Sequence, residues 1–339
     1  MKRSLYIISL LILPFLSSAQ QIGETTIRFN DTARKRPLVT EVWYPTTDTL
    51  TKHSADFAAF VRKETVKDGK IANRKYPLIL ISHGTGGNRL TLEWLADTLV
   101  QAGFIVAAVD HWGNTYDNVI PIDFATPWER PRDISFVLTG LLKDPKFGPA
   151  IDQSRIGAAG FSIGGYTVIT LAGARLNFEA LKKFCNTPRG KQEVTVPEFP
   201  GLLAMINSNE VSSSFRKSPK RLKDNRIKAF FAISPAVGQG FINKSQFKDV
   251  DKPLYIMDVE SDKITPYKTN ALHYHQLLPK SQYLLIKGKA DHYVFLGEAA
   301  EQLKKQAPVY FVDPPSVNRH TIHRQTGGLA VDFFKKQLK

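Results

Sequence analysis

Residues Ala158–Tyr166 read AAGFSIGGY, and they place Gly160 and Gly164 two positions to either side of Ser162. An apolar run precedes this segment and a helical pattern follows it. Glycines at both positions give the backbone room for a sharp turn from a strand into a helix. Such a turn strains the serine and raises its hydroxyl above the end of the strand. The stretch predicts a nucleophile at Ser162, and the alternative is a helix start with Ser162 as its N-cap.

The order of apolar runs predicts the fold class. Continuous apolar runs indicate strands buried on both faces, as in a parallel sheet; they are Tyr76–Ser82, Phe104–Asp110, Arg155–Phe161, Lys228–Ser234, Leu254–Val259 and Gln282–Lys287. Helical spacing predicts crossover helices around Leu92–Leu99, Trp128–Leu142, Ile163–Leu176, Pro266–Leu278 and Gly328–Leu338. Alternating strands and helices indicate an α/β protein with a mostly parallel central sheet and helices on both faces.

Two segments do not follow this alternation of strands and helices. Thr26–Asn30 and Leu38–Tyr44 flank a polar loop and predict an antiparallel pair at the edge of the sheet. Residues 177–225 form a long, basic, proline-containing stretch between a predicted helix and the next strand. Because a loop of that length is usually functional or carries its own helices, we expect a lid-like insertion there. The expected globular domain spans residues 21–339.

Residues 1–20 have the pattern of a secretory signal peptide. Lys2 and Arg3 give a basic start, Leu5–Leu16 is nearly all apolar, and small residues follow. A membrane anchor is the alternative, but the apolar run contains Pro14 and is shorter than the ~20 residues of a spanning helix. We therefore expect a cleaved leader and a secreted or periplasmic protein.

The net charge limits the binding partners that can be expected, and the cysteine content limits the possible disulfides. The formal net charge is +15, and Arg216–Lys228 is a basic cluster. No nucleic-acid motif or aromatic interleaving accompanies it, so we expect no nucleic-acid partner. The cluster predicts either a solvated face or peripheral contact with anionic surfaces. Cys185 is the only cysteine, so an intramolecular disulfide is excluded.

A serine nucleophile needs a general base, and that base needs an acid to orient it. Of the eight histidines, His292 follows the last predicted strand and is the expected base. Asp262, in the loop after Leu254–Val259, is the expected acid, and Glu260 is the alternative. Asp258 is expected within the strand. Asp291, adjacent to the base, is expected to point away from it.

The oxyanion of a tetrahedral intermediate needs backbone donors, and a glycine-rich turn supplies them. The turn SHGTGG at residues 82–87 directly follows a core strand. We expect the N–H groups of Thr85 and Ile163 to form the oxyanion hole. Phosphate-binding glycine spacings are absent, and His273 and His275 are two residues apart, which makes a poor metal pair on a helix. No cofactor and no metal are therefore expected.

Several phrases together resemble a known family: HGTGG, AAVDHWGNTYD, WERPRDISFVL, GFSIGG, SDKITP and the final ADH. They are similar to bacterial dienelactone-hydrolase-like and platelet-activating-factor-acetylhydrolase-like α/β-hydrolases, from about Ile27 to Lys339. The resemblance implies an α/β-hydrolase fold and a metal-free Ser–Asp–His triad acting on an ester. It supports Ser162, Asp262 and His292, with Thr85 and Ile163 as donors.

The chain also departs from this family in two ways. Ser162 stands where dienelactone hydrolases proper have a cysteine. FFAISPAVGQG has no carboxylate where the animal platelet-activating-factor enzymes place their acid.

The expected function is an exported serine esterase that acts through an acyl-enzyme on small or lipid-like esters. The alternatives are a non-catalytic binding protein with a basic surface and a peptidase with the same triad.

Overall fold

The computed structural model describes residues 21–50 and 59–339. The expected signal peptide at residues 1–20 lies outside the described residues. No helix in the described ranges is both long enough and apolar enough to cross a membrane.

A central sheet organises the described part of the chain. Its strands are β1 Gln21–Asp31, β2 Arg36–Thr46, β3 Val66–Lys67, β4 Tyr76–Ser82, β5 Ile105–Val109, β8 Ile151–Phe161, β9 Ala229–Ile233, β10 Leu254–Val259 and β11 Gln282–Ile286, and a separate hairpin holds β6 Asn114–Thr115 and β7 Asn118–Val119. The sheet order is β11-β10-β9-β8-β4-β5-β2-β1-β3. The six strands in the order β11-β10-β9-β8-β4-β5 pair parallel with their neighbours. Strand β2 pairs antiparallel with β1 and β5. The predicted parallel sheet and its antiparallel pair are confirmed.

Helices cover both faces of this sheet. They are α1 Glu93–Gln101, α2 Pro121–Phe124, α3 Glu129–Lys143, α4 Ile163–Leu171, α5 Phe178–Cys185, α6 Pro188–Glu193, α7 Leu202–Ile206, α8 Asn209–Lys217, α9 Ala271–Leu277, α10 Glu301–Gln306, α11 Pro308–Phe311 and α12 Arg319–Gln337. Short 3-10 turns lie at Gly148–Ala150, Gly238–Gly240, Lys244–Phe247 and His292–Phe295. On one face α3, α4 and α9 pack their apolar side chains, and on the other α1 and α12 do so.

Three helix boundaries differ from the sequence prediction by five residues or more. Helix α9 begins at Ala271 rather than Pro266, and the other two boundaries differ for local reasons. Helix α4 ends at Leu171 rather than Leu176, because Gly173 adopts φ +122° just beyond it and terminates the helix. Helix α12 begins at Arg319 rather than Gly328, because the side chain of Asn318 caps the N–H of Thr321 at 2.8 Å. The paired glycines near Gly328 therefore lie inside a helix instead of starting one.

The segment 177–225 forms α5 to α8 between α4 and β9. These helices share a small apolar core with Trp128, whose ring lies 5.3 Å from that of Phe178 and 5.1 Å from that of Phe215. Val211 and Ile206 are buried in the same core. The insertion is therefore packed onto the start of α3.

Asp97 on α1 predicts a measurable pH dependence of stability. Burial raises the pKa of this carboxyl to about 6, although Lys63 and Arg62 oppose the shift. The carboxyl loses its proton near pH 4 in the unfolded state and near pH 6 in the folded state. Asp97 therefore lowers the free energy of unfolding as the pH rises above about 4. Asp97→Asn should therefore gain roughly 1–2 kcal/mol of unfolding free energy relative to wild type between pH 5 and pH 8. Guanidinium unfolding at both pH values measures it, and a pH-independent difference would contradict it.

Candidate active site

The turn at Ser162 forms as its flanking glycines predict. Ser162 has φ 57° and ψ −120°, a strained conformation for a residue with a side chain. A Cβ on Gly160 would lie 2.1 Å from the carbonyl oxygen of Gly164. A Cβ on Gly164 would lie 2.0 Å from the carbonyl oxygen of Ser82. Both positions therefore require glycine, because the turn brings β8, α4 and the end of β4 into backbone contact.

Gly164→Ala is expected to destabilise the protein by about 1–3 kcal/mol or more, because an added methyl group meets backbone that cannot move aside. Gly328→Ala is the matched control. A Cβ on Gly328 meets nothing within 4 Å, so alanine there should add up to ~1 kcal/mol by favouring the helix. Thermal or denaturant unfolding of both variants measures the contrast. Equal stability of the two would contradict the packing described for the turn.

His292 and Asp262 meet beyond the carboxyl ends of β11 and β10. Nδ1 of His292 lies 2.6 Å from Oδ2 of Asp262, and both residues are buried. Oδ1 of Asp262 accepts hydrogen bonds from the N–H groups of Ile264 at 2.9 Å and Thr265 at 2.7 Å. The hydroxyl of Thr265 donates to Oδ2 at 3.0 Å. Asp262 is thus held in place to orient the imidazole.

The charge state of Asp262 follows from these contacts. Burial by itself raises the pKa of Asp262, but His292 and the hydrogen bonds from Thr265 outweigh burial and hold the pKa below its ordinary value. Asp262 is therefore a carboxylate at neutral pH. A carboxylate on Nδ1 fixes the tautomer that leaves Nε2 free to accept a proton.

The other candidate acids lie elsewhere. Glu260 is exposed to solvent and bonds Lys287 and the N–H of Gly288, each at 3.0 Å. Asp291 accepts from the N–H of His292 at 2.7 Å and does not meet the imidazole. Asp258 is fully buried within β10, where burial and the neighbouring Asp262 raise its pKa well above the ordinary value. The geometry brings Asp262, and not Glu260, to His292.

Ser162 and His292 line one cavity of about 120 Å³. The ring of Phe161 lies 4.7 Å from the imidazole of His292 and connects the serine turn to the histidine loop. In the part of the chain described, the Ser162 hydroxyl makes no hydrogen bond to His292. Such a bond commonly shortens only when substrate occupies the site. The structure therefore brings the serine and histidine to the same cavity, with the Asp262 pair behind the imidazole.

The expected oxyanion donors lie beside the serine. A Cβ on Gly84 would lie 3.4 Å from Cβ of Ser162, so the glycine-rich turn runs directly past the serine. Ile163 is the first residue of α4, and its N–H has no partner within the helix. Within the described ranges, neither this N–H nor that of Thr85 bonds to another backbone group. Both residues line the cavity.

Sequence reasoning missed the support of that turn, which comes from His83. Nδ1–H of His83 donates to the carbonyl of Gly84 at 2.6 Å, and Nε2 accepts from the N–H of His111 at 3.2 Å. Burial, followed by the charge of Arg130, lowers the pKa of His83 well below its ordinary value. The imidazole is neutral and fixes the turn. His83 was visible as part of HGTGG, but its partners come from distant strands.

A buried polar network continues below His83. The hydroxyl of Ser82 donates to Nε2 of His111 at 2.9 Å, and Nδ1–H of His111 donates to Asp133 at 3.0 Å. Arg36 binds both oxygens of Asp133 at 2.9 Å. Ser82, His111 and Asp133 have no exposed surface, so this chain of bonds joins β2, β4 and α3 rather than meeting substrate.

The insertion closes the cavity opposite the sheet. The apolar part of its wall there comes from Phe178, Leu181, Val194, Val196, Leu202 and Ile206. Glu193 and Glu198 are its carboxyl groups. Among the described residues, no group of three or more His, Cys, Asp or Glu side chains could hold a metal ion.

Parts of this sequence are similar to known proteins. Residues 55–117 match the family model described as platelet-activating factor acetylhydrolase, isoform II. Over 110 residues the chain is 31% identical to cutinase est1 of Thermobifida alba, covering 32% of this chain and 34% of that protein. Cutinase 2 of Thermobifida cellulosilytica is 28% identical over 110 residues, 32% of this chain and 38% of that protein. The chain thus spans only about a third of the length of these cutinases.

The fold extends further than the sequence similarity. A ferulic acid esterase from Streptomyces cinnamoneus superimposes with a TM-score of 0.62 at 18% identity, and the match covers 95% of this chain and 91% of that one. At that identity the likeness establishes the architecture of the chain.

Proposed function

We propose that this chain, which has an α/β-hydrolase fold, is a serine hydrolase that cleaves carboxylic esters. The observation that carries the proposal is the strained Ser162 turn sharing one cavity with the buried His292–Asp262 pair. The matches to an acetylhydrolase family model and to cutinases support ester chemistry.

In the first half-reaction, Nε2 of His292 takes the proton of the Ser162 hydroxyl, and Oγ attacks the ester carbonyl. The carbonyl oxygen gains negative charge as the tetrahedral intermediate forms. The N–H groups of Thr85 and Ile163 donate to this oxygen, each worth ~3 kcal/mol of transition-state stabilisation.

The intermediate collapses when His292 gives its proton to the leaving alcohol. The C–O bond to the alcohol breaks, and Ser162 carries the acyl group. Water then attacks the acyl-enzyme, His292 accepts a proton from that water, and the acid leaves with Oγ reprotonated. Asp262 stays ionised throughout and stabilises the imidazolium.

The size of the cavity favours short esters. The cavity has a volume of about 120 Å³, and the insertion forms much of its wall. We therefore expect acetyl to butyryl groups to be accepted better than longer acyl chains.

Export is part of the proposal and rests on the leader-like pattern of residues 1–20. Contact with anionic surfaces stays a prediction. Within the basic cluster, Lys223 pairs with Asp251 at 2.8 Å, and Arg226 binds Asp224, so part of its charge is already neutralised locally.

A series of p-nitrophenyl esters tests the proposal. We expect hydrolysis with kcat/KM highest for acetate to butyrate and falling for octanoate and longer chains. The leader-free protein at neutral pH is the sample. Absence of hydrolysis across the whole series would contradict the proposed function.

A further inference from the structure

We propose that Glu198 binds a hydroxyl group on the alcohol portion of the ester, so that the preferred substrates are monoesters of diols and polyols. This inference rests on the proposed esterase function. It concerns the side of the cavity formed by the insertion, which the catalytic steps do not use.

Glu198 lies between α6 and α7 and lines the same cavity as Ser162. A Cβ on Gly86 would lie 3.1 Å from Cβ of Glu198, so the insertion rests directly on the glycine-rich turn. Gly84 in that turn approaches Ser162, as described above. Glu198 is therefore held against the turn that passes the serine.

One oxygen of Glu198 is available to a ligand. Oε1 accepts from the hydroxyl of Tyr293 at 2.9 Å. Oε2 bonds to no other residue of the described chain, and Glu198 lines the cavity. Burial raises the pKa of Glu198, while a hydrogen bond from its own backbone N–H, the hydrogen bond from Tyr293 and the nearby His292 oppose the shift. A hydrogen-bond donor on the substrate would therefore stabilise this oxygen, because the carboxyl lies in mainly apolar surroundings and Oε2 has no partner on another described residue.

The second carboxyl of the cavity is already satisfied. Oε1 of Glu193 accepts from Arg189 at 2.6 Å, and Oε2 accepts from Gln239 and from Thr269, both at 2.8 Å. Glu193 therefore holds the insertion to the body of the protein and has less to offer a substrate. This contrast makes Glu198 the acceptor of the site.

The position of Glu198 selects the alcohol portion of the ester. His292 protonates the leaving alcohol, so that portion lies on the histidine side of the serine. Tyr293 follows His292 and holds Glu198, and its ring lies 5.4 Å from the imidazole. A group that reaches Oε2 therefore belongs to the alcohol rather than to the acyl chain.

A neutral donor suits this place better than a cation. The cavity wall is mainly apolar, and His292 becomes positively charged in the transition state. An ammonium group would lose its hydration and repel that imidazolium. A hydroxyl donates one hydrogen bond to Glu198 and brings no charge that would repel the imidazolium.

An isosteric pair of esters tests the inference. 2-Hydroxyethyl propionate and propyl propionate differ only by OH in place of CH₃. We expect kcat/KM of the wild type to favour the hydroxyethyl ester by about tenfold or more. Glu198→Met should bring the ratio near one, whereas the control Glu193→Gln should keep it. Because the readout is a ratio, a general loss of activity in a variant cancels.

The outcomes separate this inference from the proposed function. A wild type that hydrolyses p-nitrophenyl acetate through Ser162 with a ratio near one overturns the role of Glu198 alone. Equal ratios in wild type and in folded Glu198→Met or Glu198→Ala do the same. A tenfold preference for 2-(trimethylammonio)ethyl propionate over the hydroxyethyl ester overturns the choice of a neutral hydroxyl. Absence of all ester hydrolysis in the wild type overturns the proposed function as well.

Discussion

Ser162→Ala is expected to lower kcat for p-nitrophenyl acetate by about 10⁴- to 10⁶-fold, because the acyl-enzyme cannot form without Oγ. The remaining rate comes from the oxyanion donors and from binding, which the substitution leaves in place. The fold should survive, since Oγ of Ser162 makes no hydrogen bond within the described residues and alanine is smaller. Steady-state kinetics measured beside an unfolding curve check both parts.

Ser261→Ala is the control for this result. Ser261 lies next to Asp262 in chain order, but among the described residues its exposed hydroxyl bonds only the carbonyl of Gly288, at 2.8 Å. Its kcat should stay within about threefold of the wild type, because surface changes of this kind are nearly neutral. If Ser162→Ala kept a tenth or more of the wild-type kcat, covalent catalysis by Ser162 would be excluded.

Asp262→Asn is expected to lower kcat by about 10⁴-fold with little change in KM. The amide keeps the size of the side chain but no longer holds Nδ1–H of His292 or stabilises the imidazolium. The loss then falls on the chemical step and not on substrate binding. Measured kcat and KM for p-nitrophenyl acetate separate the two.

Glu260→Gln is the matched control, since Glu260 was the alternative acid. Its carboxylate is exposed and engaged with Lys287 and Gly288, so we expect kcat within about twofold of the wild type. A larger loss in Glu260→Gln than in Asp262→Asn would move the acid to Glu260 and contradict the geometry of the site.

The sheet and the serine turn could be predicted because their signals are local. Tyr76–Ser82 and Leu254–Val259 are mainly apolar, and both form strands with those bounds. Gly160 and Gly164 flank Ser162 because a side chain at either position would collide with backbone in the turn, and this G-x-S-x-G spacing is visible in the sequence. Asp262 and His292 were predicted as a pair from one rule, that loops after parallel strands meet at the same edge.

The remaining features depend on contacts between distant residues. Nothing in the sequence around Asp133 on α3 indicates that Arg36 of β2 will bind both of its carboxylate oxygens. Glu198 lies in a stretch with no strong helical or strand pattern, and its role follows only from its contact with Tyr293 and Gly86. The insertion contains helices of five to nine residues, too short for their apolar spacing to be recognised in advance.

The most direct test of the central claim is the site of covalent modification by a fluorophosphonate. The reagent should add one phosphonyl group per chain, and peptide mass spectrometry should locate it on Ser162, with loss of esterase activity in proportion to labelling. The adduct should be absent from Ser162→Ala. A protein that hydrolyses esters while the label is absent, or lies on any other residue, would contradict the account.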